Sequence, residues 1–416
     1  MSGEHALGWL VREQRWFGSK SRELAGGRIV DSGALAPDCA LALFEIAFAE
    51  GPGELYQLPY RVAADGRPVL ELADPALAAA LLAALRGSQR LAMEAGAVEF
   101  ELAAPLPPAA ALGPVRAIGG EQSNSSVVFG ERCVLKAYRR LEPGESVELE
   151  MLRFLDAHGF EHLPRLRGWY GYSGAPISAT LGILQEFVPD ARDGWQDALA
   201  SLADPDEFLS RVGRLGEVTA RMHAALASDR DDPAFCPEAL DDAGATAAEI
   251  PEPLRARRDE LVELLRGLHA AGRGGMAIRQ HGDYHLGQVL WARGDWVVID
   301  FEGEPARPLA ERRRKSTPLR DVAGILRSFA YAAETGRERG VPAPPGWEDD
   351  ARTAFLGGYE ATIDQSLLPP AGAPRDALLA ACELEKALYE LRYELDNRPA
   401  WAHVPLAGIE RQLDGT

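Results

Sequence analysis

The first hundred residues alternate quickly between apolar and polar positions. Runs at 27–30, 41–48 and 55–62 carry the period-two or continuous apolar pattern of strands. Asp65-Gly66 is a hairpin-type turn before a further strand at 68–72. Asp74-Pro75 then opens an Ala/Leu-rich helix to about residue 85, with Asp as N-cap and Pro at the first helical position. A strand at 97–102 follows. Residues 103–114, AAPLPPAAALGP, read as a semi-rigid connector. Beyond it lie three short strands with glycines between them, at 115–118, 127–130 and 134–138. A helix at 145–157 and an apolar strand at 181–188 come next. From about residue 190 the apolar spacing changes to three and four. It predicts helices at 194–202, 206–226 and 247–271, then at 319–335, 349–365 and 375–395. A strand–loop–strand block at 276–301 interrupts them. No repeat recurs at solenoid periods. The pattern predicts an α+β chain in three parts: a β-rich segment over 1–103, a small β lobe over 104–189 and a helical lobe over 190–416.

Charge narrows the partners. The 416 residues carry a net charge of −19, which excludes an electrostatic nucleic-acid binder and a binder of anionic membrane surfaces. A hydrophobic fraction of 46% excludes a disordered acidic chain. Cys39, Cys133, Cys236 and Cys382 are far apart with no C-x-x-C pair, so neither a zinc cluster nor a disulfide framework is signalled. The N-terminal residues show no cationic, apolar leader, and no apolar run approaches membrane-spanning length. A reduced, soluble, cytoplasmic protein is expected. Its oligomeric state is not legible.

The densest chemistry is Gln280-His281-Gly282-Asp283-Tyr284-His285-Leu286-Gly287-Gln288, followed by Val297-Val298-Ile299-Asp300-Phe301-Glu302. Phosphoryl transfer from a nucleotide needs a carboxylate beside the attacking hydroxyl and oxygen ligands for Mg²⁺. Kinases place the base and a side-chain amide ligand in one loop, spaced D-x4-N. Asp283 and Gln288 keep that spacing, with Gln for Asn, and Asp300 at the end of an apolar strand supplies the second ligand. A strand Asp alone is more often an ordinary turn residue; the combination is not. His285 reads as a holder of this loop. Upstream, Gly119-Gly120-Glu121-Gln122-Ser123-Asn124-Ser125-Ser126 joins two strands and precedes Lys136. Gly120, Gln122, Ser123, Asn124 and Ser125 are candidates to cradle phosphates through backbone N–H groups and small polar side chains, with Lys136 neutralising charge. Glu148 and Glu150 on the next helix are both candidates to pair with Lys136, and Glu150 is preferred because it opens the more apolar stretch. At Gln185-Glu186-Phe187-Val188-Pro189, backbone groups of Glu186 and Val188 are placed to meet an adenine edge.

With these pieces in order, the chain resembles the aminoglycoside-phosphotransferase and eukaryotic-like kinase superfamily. More narrowly it resembles the actinobacterial maltokinase family and its glucosamine-kinase relatives. Further residues carry the likeness: Gln14-Arg15-Trp16-Phe17-Gly18-Ser19-Lys20, the stretch 300–307, Pro318-Leu319-Arg320-Asp321-Val322-Ala323-Gly324, Lys386-Ala387-Leu388-Tyr389-Glu390 and Asn397-Arg398-Pro399-Ala400-Trp401. The resemblance implies a bilobal kinase fold with an N-terminal cap, ATP between the lobes, and Mg²⁺. It also implies Asp283 as base, Gln288 and Asp300 as metal ligands, and Lys136 on the ATP phosphates.

Departures concern the acceptor. Maltokinases continue the aromatic pair as Gly-Lys-Gly-Arg; here the chain reads Gly18-Ser19-Lys20-Ser21-Arg22, and it is short for that family. Acceptor sites in the superfamily are built by C-terminal helices. The segment 381–401 holds Glu383, Glu385, Glu390, Glu394 and Asp396, with Lys386, Tyr389, Glu390 and Tyr393 on one helical face. Tyr389, Glu390, Glu394 and Trp401, with Asp283, are the candidate sugar contacts. The bland alternative is a solvated face of Lys/Glu pairs. Glucosamine, phosphorylated on its 6-hydroxyl, is the expected acceptor, with maltose giving maltose 1-phosphate as the alternative. Rivals are a catalytically dead kinase-fold scaffold and an antibiotic-modifying kinase. Three minor features remain. Glu302 stands beside the metal segment, the basic run Arg312-Arg313-Arg314-Lys315 is a candidate for phosphate or acceptor, and His223 reads as a structural helix residue.

Overall fold

The computed structural model describes residues 10–108, 112–118, 124–240, 250–304 and 307–414. The chain is α+β and divides into two units: Met1–Arg153 with Pro164–Pro189, and Phe154–Leu163 with Asp190–Thr416.

The first unit is built on two antiparallel sheets. Strands β1 (Leu24–Ala36), β2 (Cys39–Phe48), β3 (Glu54–Val62) and β4 (Pro68–Val69) form one, in that order. Helix α1 (Pro75–Arg86) follows, and Asp74 caps it by accepting from the Ala76 and Leu77 amides. Strands β5 (Arg90–Ala92), β6 (Gly96–Leu102), β7 (Val115–Ala117), β8 (Ser125–Phe129) and β9 (Cys133–Ala137) come next. After helix α2 (Val147–Ala157), β10 (Leu166–Gly174) and β11 (Ser178–Glu186) complete a seven-stranded sheet ordered β5-β6-β10-β11-β9-β8-β7.

β2 explains why its sequence is so apolar. Side chains alternate between faces. Leu41 and Leu43 enter a core shared with α1 and the seven-stranded sheet, whereas Phe44, Ile46 and Phe48 pack with Trp16, Phe17 and Tyr56 on the other face. Both faces of the strand are covered, so almost every position is apolar. Strand β10 escapes the sequence pattern because glycines interrupt both of its faces, Gly168 among Leu166, Tyr170 and Tyr172, and Gly171 on the other side. A Cβ at Gly168 would meet the Glu101 carbonyl at 2.4 Å, so the glycine is what lets β6 lie alongside.

Across the expected boundary at residue 103 the two segments share a sheet. β5 and β6, before it, pair into the same sheet as β7–β11, after it. Buried polar groups tie this unit further. Asp31, 1% exposed, accepts from Tyr172 Oη at 2.5 Å and from the Ala95 amide at 2.9 Å. Gln57 Nε2 donates to the Tyr138 and Leu181 carbonyls. In the aromatic-pair motif, Ser19 Oγ donates to Glu54 at 2.9 Å, and Arg22 donates to the Glu50 and Pro52 carbonyls. Ser19, one of the positions where this chain departs from maltokinases, therefore serves local structure.

The second unit is mainly helical. Its helices are α3 (Gly194–Ala200), α4 (Asp206–Leu226), α5 (Arg258–Ala271), α6 (Leu309–Arg312), α7 (Leu319–Glu338), α8 (Trp347–Thr362), α9 (Ala373–Asn397) and α10 (His403–Asp414). Strands β12 (Arg192–Asp193), β15 (Val289–Ala292) and β16 (Asp295–Val298) form a small sheet, and β13 (Glu238–Ala239) pairs with β14 (Met276–Ala277). α5 starts later than its apolar spacing predicts. Pro251 and Pro253 cannot donate into a helix, so Glu252–Arg257 is a 3₁₀ turn instead. No helix among the described residues is long and apolar enough to cross a membrane.

α4 and α8 touch backbone to backbone through glycines. A Cβ on Gly216 would stand 2.1 Å from the Phe355 carbonyl, and one on Gly358 1.9 Å from that of Gly213. Gly357, on the same helix, has open space around it. Gly216→Ala is therefore expected to cost about 2–3 kcal/mol through overpacking. Gly357→Ala should be neutral or stabilising by up to about 1 kcal/mol. Urea unfolding of both variants measures the contrast.

Candidate active site

The loop His281–Gln288 sits on a buried carboxylate. Asp321, 2% exposed on α7, accepts from the His281 and Gly282 amides at 2.9 Å each and lies 3.1 Å from His223 Nε2. His223 Nδ1 reaches Tyr359 Oη at 2.9 Å, so this histidine is a fully buried helix residue. Burial pushes the Asp321 carboxyl up. The His223 bond and the backbone N–H pull it down further, leaving it below the ordinary value. His281 Nε2 meets the Ile299 carbonyl at 2.9 Å and its ring packs on Phe301, which joins the loop to the segment carrying Asp300. Gly324 completes the seat: a Cβ there would meet the Tyr284 carbonyl at 2.3 Å.

On this seat the chemistry-bearing groups gather. Lys386 Nζ from α9 lies 3.3 Å from Asp283 Oδ1 and 2.9 Å from Glu304 Oε1. Burial raises the Asp283 carboxyl, but Lys386, then His285 and His281, bring it below its usual value. The Lys386 ammonium is disfavoured by burial, yet Glu304 and Asp283 raise its pKa overall. His285 Nδ1 accepts from the Gly287 amide at 3.0 Å and so shapes the turn before Gln288. Gln288 Nε2 donates to Asp300 Oδ2 at 3.2 Å. Asp300 takes a left-handed backbone, φ +66°, which Asp adopts more readily than most residues. A carboxylate and an amide side by side offer the hard oxygen donors that suit Mg²⁺, once the amide turns over to present its oxygen.

Asp283 opens onto a cavity of about 650 Å³ within this unit, and Tyr389, Glu390, Glu394 and Trp401 all line it. Two of these acids are already engaged. Glu390 takes both Nε and Nη2 of the buried Arg327, at 2.9 and 2.8 Å. Glu394, 2% exposed, holds Arg398 at 2.6 Å and accepts from Tyr331 Oη at 3.4 Å. Trp401 stacks near Tyr331, with ring centroids 6.5 Å apart. Glu383 and Glu385 pair with Arg352 and Arg320, so only part of the acidic segment faces the cavity. Lys386 and Glu304 were not singled out in the sequence as site groups. The signal available was Lys386 sharing a helical face with Tyr389 and Glu390.

Two members of the basic run, Arg312 and Lys315, are engaged in local structure. Lys315 Nζ donates to the Pro233 and Cys236 carbonyls, both at 2.7 Å, and Arg312 reaches the Glu302 carbonyl at 3.2 Å.

In the β-rich unit, Lys136 Nζ on β9 pairs with Glu148 Oε2 at 2.8 Å. The preference for Glu150 is thus corrected. Residues two apart point to opposite sides of a helix; Glu148 faces inward at 1% exposure, whereas Glu150 is half-buried. Tyr138 Oη donates to the same Glu148 oxygen at 2.9 Å. Ser125 turns its hydroxyl to Arg139 Nε at 2.7 Å. It pairs with Ala137 in the register, so its side chain lies on the sheet face opposite Lys136. Asn124 immediately precedes β8. Gly120, Gln122 and Ser123 lie outside the described residues. The Glu186 and Phe187 amides donate to the Arg165 and Arg132 carbonyls. The Val188 amide meets no backbone carbonyl among the described residues.

The sequence profile of the phosphotransferase enzyme family matches residues 114–341, and that of the maltokinase N-terminal cap domain matches 9–95. A glucosamine kinase of Mycolicibacterium smegmatis is 33% identical over 326 residues, 72% of this chain and 79% of that protein. One from Streptacidiphilus jiangxiensis is 30% identical over 316 residues, covering 70% and 71%. A solved glucosamine kinase in complex with glucosamine, ADP and inorganic phosphate aligns with a TM-score of 0.66 at 25% identity, covering 96% of this chain and 97% of that one. A glucosamine kinase crystal form gives a TM-score of 0.68 at 25% identity, covering 97% and 95%.

Asp321→Ala would leave two buried N–H groups and His223 without their partner, a loss of about 3–5 kcal/mol. Because the folded Asp321 pKa is depressed, its contribution is fully present above the ordinary carboxylate pKa. It is lost as pH falls through the folded value. Denaturation at neutral and acid pH should show the wild type losing this increment and the variant lacking it.

Proposed function

We propose that this chain, which belongs to the phosphotransferase enzyme family, transfers the γ-phosphate of ATP to the 6-hydroxyl of glucosamine. It is a kinase with an alcohol acceptor. The observation that carries the acceptor reading is one cavity holding a depressed carboxylate, Asp283, together with Tyr389, Glu390, Glu394 and Trp401. A hydroxylated ring fits such a lining: carboxylates and a tyrosine for hydroxyl or ammonium groups, and an indole for an apolar sugar face. The names of the two curated relatives and of the solved neighbours support an aminated sugar. Maltose remains the second reading, supported by the cap match at 9–95.

In this reading Asp283 takes the proton of the attacking hydroxyl. Lys386, itself held by Glu304, keeps Asp283 ionised and fixed in direction, so it meets the hydroxyl as an acceptor. Gln288 and Asp300 would hold Mg²⁺, which when bound offsets charge on the phosphates. Lys136, oriented by Glu148, would meet the ATP phosphates, with Asn124 beside them, whereas the Ser125 hydroxyl, held by Arg139 on the opposite sheet face, takes no part in that contact. Gly120, Gln122 and Ser123 belong to the same phosphate role. The Val188 amide and the Glu186 carbonyl would receive the adenine edge. The division into a cap over 1–103, a nucleotide-binding lobe over 104–189 and a helical lobe over 190–416 belongs to this reading. A single site for base and acceptor lets positioning and electrostatics carry most of the rate.

Asp283→Ala is expected to keep ATP affinity within a few-fold while lowering kcat by roughly 10²–10⁴-fold. Near-wild-type turnover would remove Asp283 from the role of base. Steady-state assays with glucosamine, glucose and maltose should give glucosamine the highest kcat/KM. Equal or better use of maltose defeats the glucosamine reading.

A further inference from the structure

Arg139 is a charged residue in the interior of the β-rich unit, 1% exposed. Among the described residues no carboxylate pairs with it, and burial pulls its pKa down to about 10. A guanidinium in such a place is costly, and an apolar side chain of similar volume would serve packing as well or better. Three neutral groups hold it. The Trp16 ring lies 4.9 Å from the guanidinium carbon, the Leu70 carbonyl accepts from Nη2 at 3.1 Å, and Ser125 Oγ accepts from Nε at 2.7 Å. The remaining nitrogen, Nη1, is buried with no partner.

These contacts join two parts of the chain. Trp16 and Leu70 lie in the region matched by the cap profile; Ser125 and Arg139 lie in the region matched by the phosphotransferase profile. Backbone bonds run in parallel: the Gln57 amide donates to the Arg139 carbonyl at 2.9 Å, and the Leu141 amide to Leu55 at 2.8 Å. On the other side, Arg139 fixes the first residue of β8 against β9. Ser126, next to Ser125, pairs in register with Lys136. The guanidinium thus anchors the strand pair that presents Lys136, and its unneutralised charge adds positive potential inside an acidic protein.

We infer that Arg139 is a positioning residue through which the N-terminal cap sets the affinity of the β-rich unit for a nucleoside triphosphate. This rests on the ATP-dependent reading above. The cap is then a working part of the nucleotide site, acting through Trp16 and Leu70 rather than by touching ATP.

The test uses the full chain with Mg·ATP as probe, in Trp16→Leu, Trp16→Phe, Arg139→Lys and wild type. Titration calorimetry gives the affinity, steady-state kinetics give KM for ATP and for the sugar, and melting gives Tm. Trp16→Leu, which removes the aromatic face, and Arg139→Lys, which loses the planar fork, should each weaken ATP roughly five- to tenfold. KM for the sugar should stay within twofold, and Trp16→Phe should recover most of the ATP affinity. A lowered Tm with ATP affinity unchanged in both variants makes Arg139 a structural staple and overturns the inference. Wild type that binds no Mg·ATP overturns the nucleotide reading and this inference with it; a wild type that binds, with variants equal to it, overturns this inference alone. If Arg139→Lys does not fold, the Trp16→Leu and Trp16→Phe pair decides the question.

Discussion

The helical unit depends on one buried carboxylate. Asp321 holds the His281 and Gly282 amides and faces His223, so a single side chain on α7 fixes where the His281–Gln288 loop leaves the helix bundle. Its low-dielectric surroundings make each of those bonds strong and make the loss of any one expensive. From that point the geometry follows in sequence. His281 reaches Ile299, Ile299 donates back to the Gln288 carbonyl at 3.0 Å, and Asp283 is left facing Lys386. The candidate chemistry is therefore set by backbone clamping more than by contacts among the reactive groups.

Much of this was legible in the sequence because the pieces are short and local. The spacing of Asp283, Gln288 and Asp300 survives intact because a loop and a strand end carry it, and neither needs a distant partner to be recognised. The Asp74-Pro75 start and the α4 limits were legible for the same reason. What stayed hidden depends on tertiary pairing. Glu148 and Glu150 look alike on paper, and only the side of α2 that turns inward separates them. β10 is masked by glycines whose purpose is visible only once β6 lies against them. Lys386 sits about a hundred residues from Asp283, and no local pattern links the two. Glu390 and Glu394 were legible as cavity residues, whereas their arginine partners, Arg327 and Arg398, were not.

The charge balance takes on a different sense with these pairs in view. The surplus of acid gives little indication of how the cavity is charged. Glu390 is matched by Arg327, Glu394 by Arg398, and Asp283 with Glu304 by Lys386. Buried pairs of this kind add little net stability, but they hold direction: Glu394 and Glu304 have both oxygens engaged, and Glu390 takes two N–H groups of one guanidinium. The cavity wall is thus a set of pre-aimed groups of nearly cancelling charge, surrounded by a surface that carries the −19.

The continuity of the seven-stranded sheet has a consequence for any attempt to shorten the chain. β6 covers β10 along Gly96–Leu102, and β5 in turn covers β6. A chain begun at residue 104 would strip both strands away and leave β10 with a row of unsatisfied N–H and C=O groups flanked by Trp169, Tyr170 and Tyr172. That edge is long, aromatic and free of proline, the combination that recruits strands from other molecules. The kinase-like part is therefore not a portable module with an ornament attached. Its solubility is underwritten by the residues that precede it.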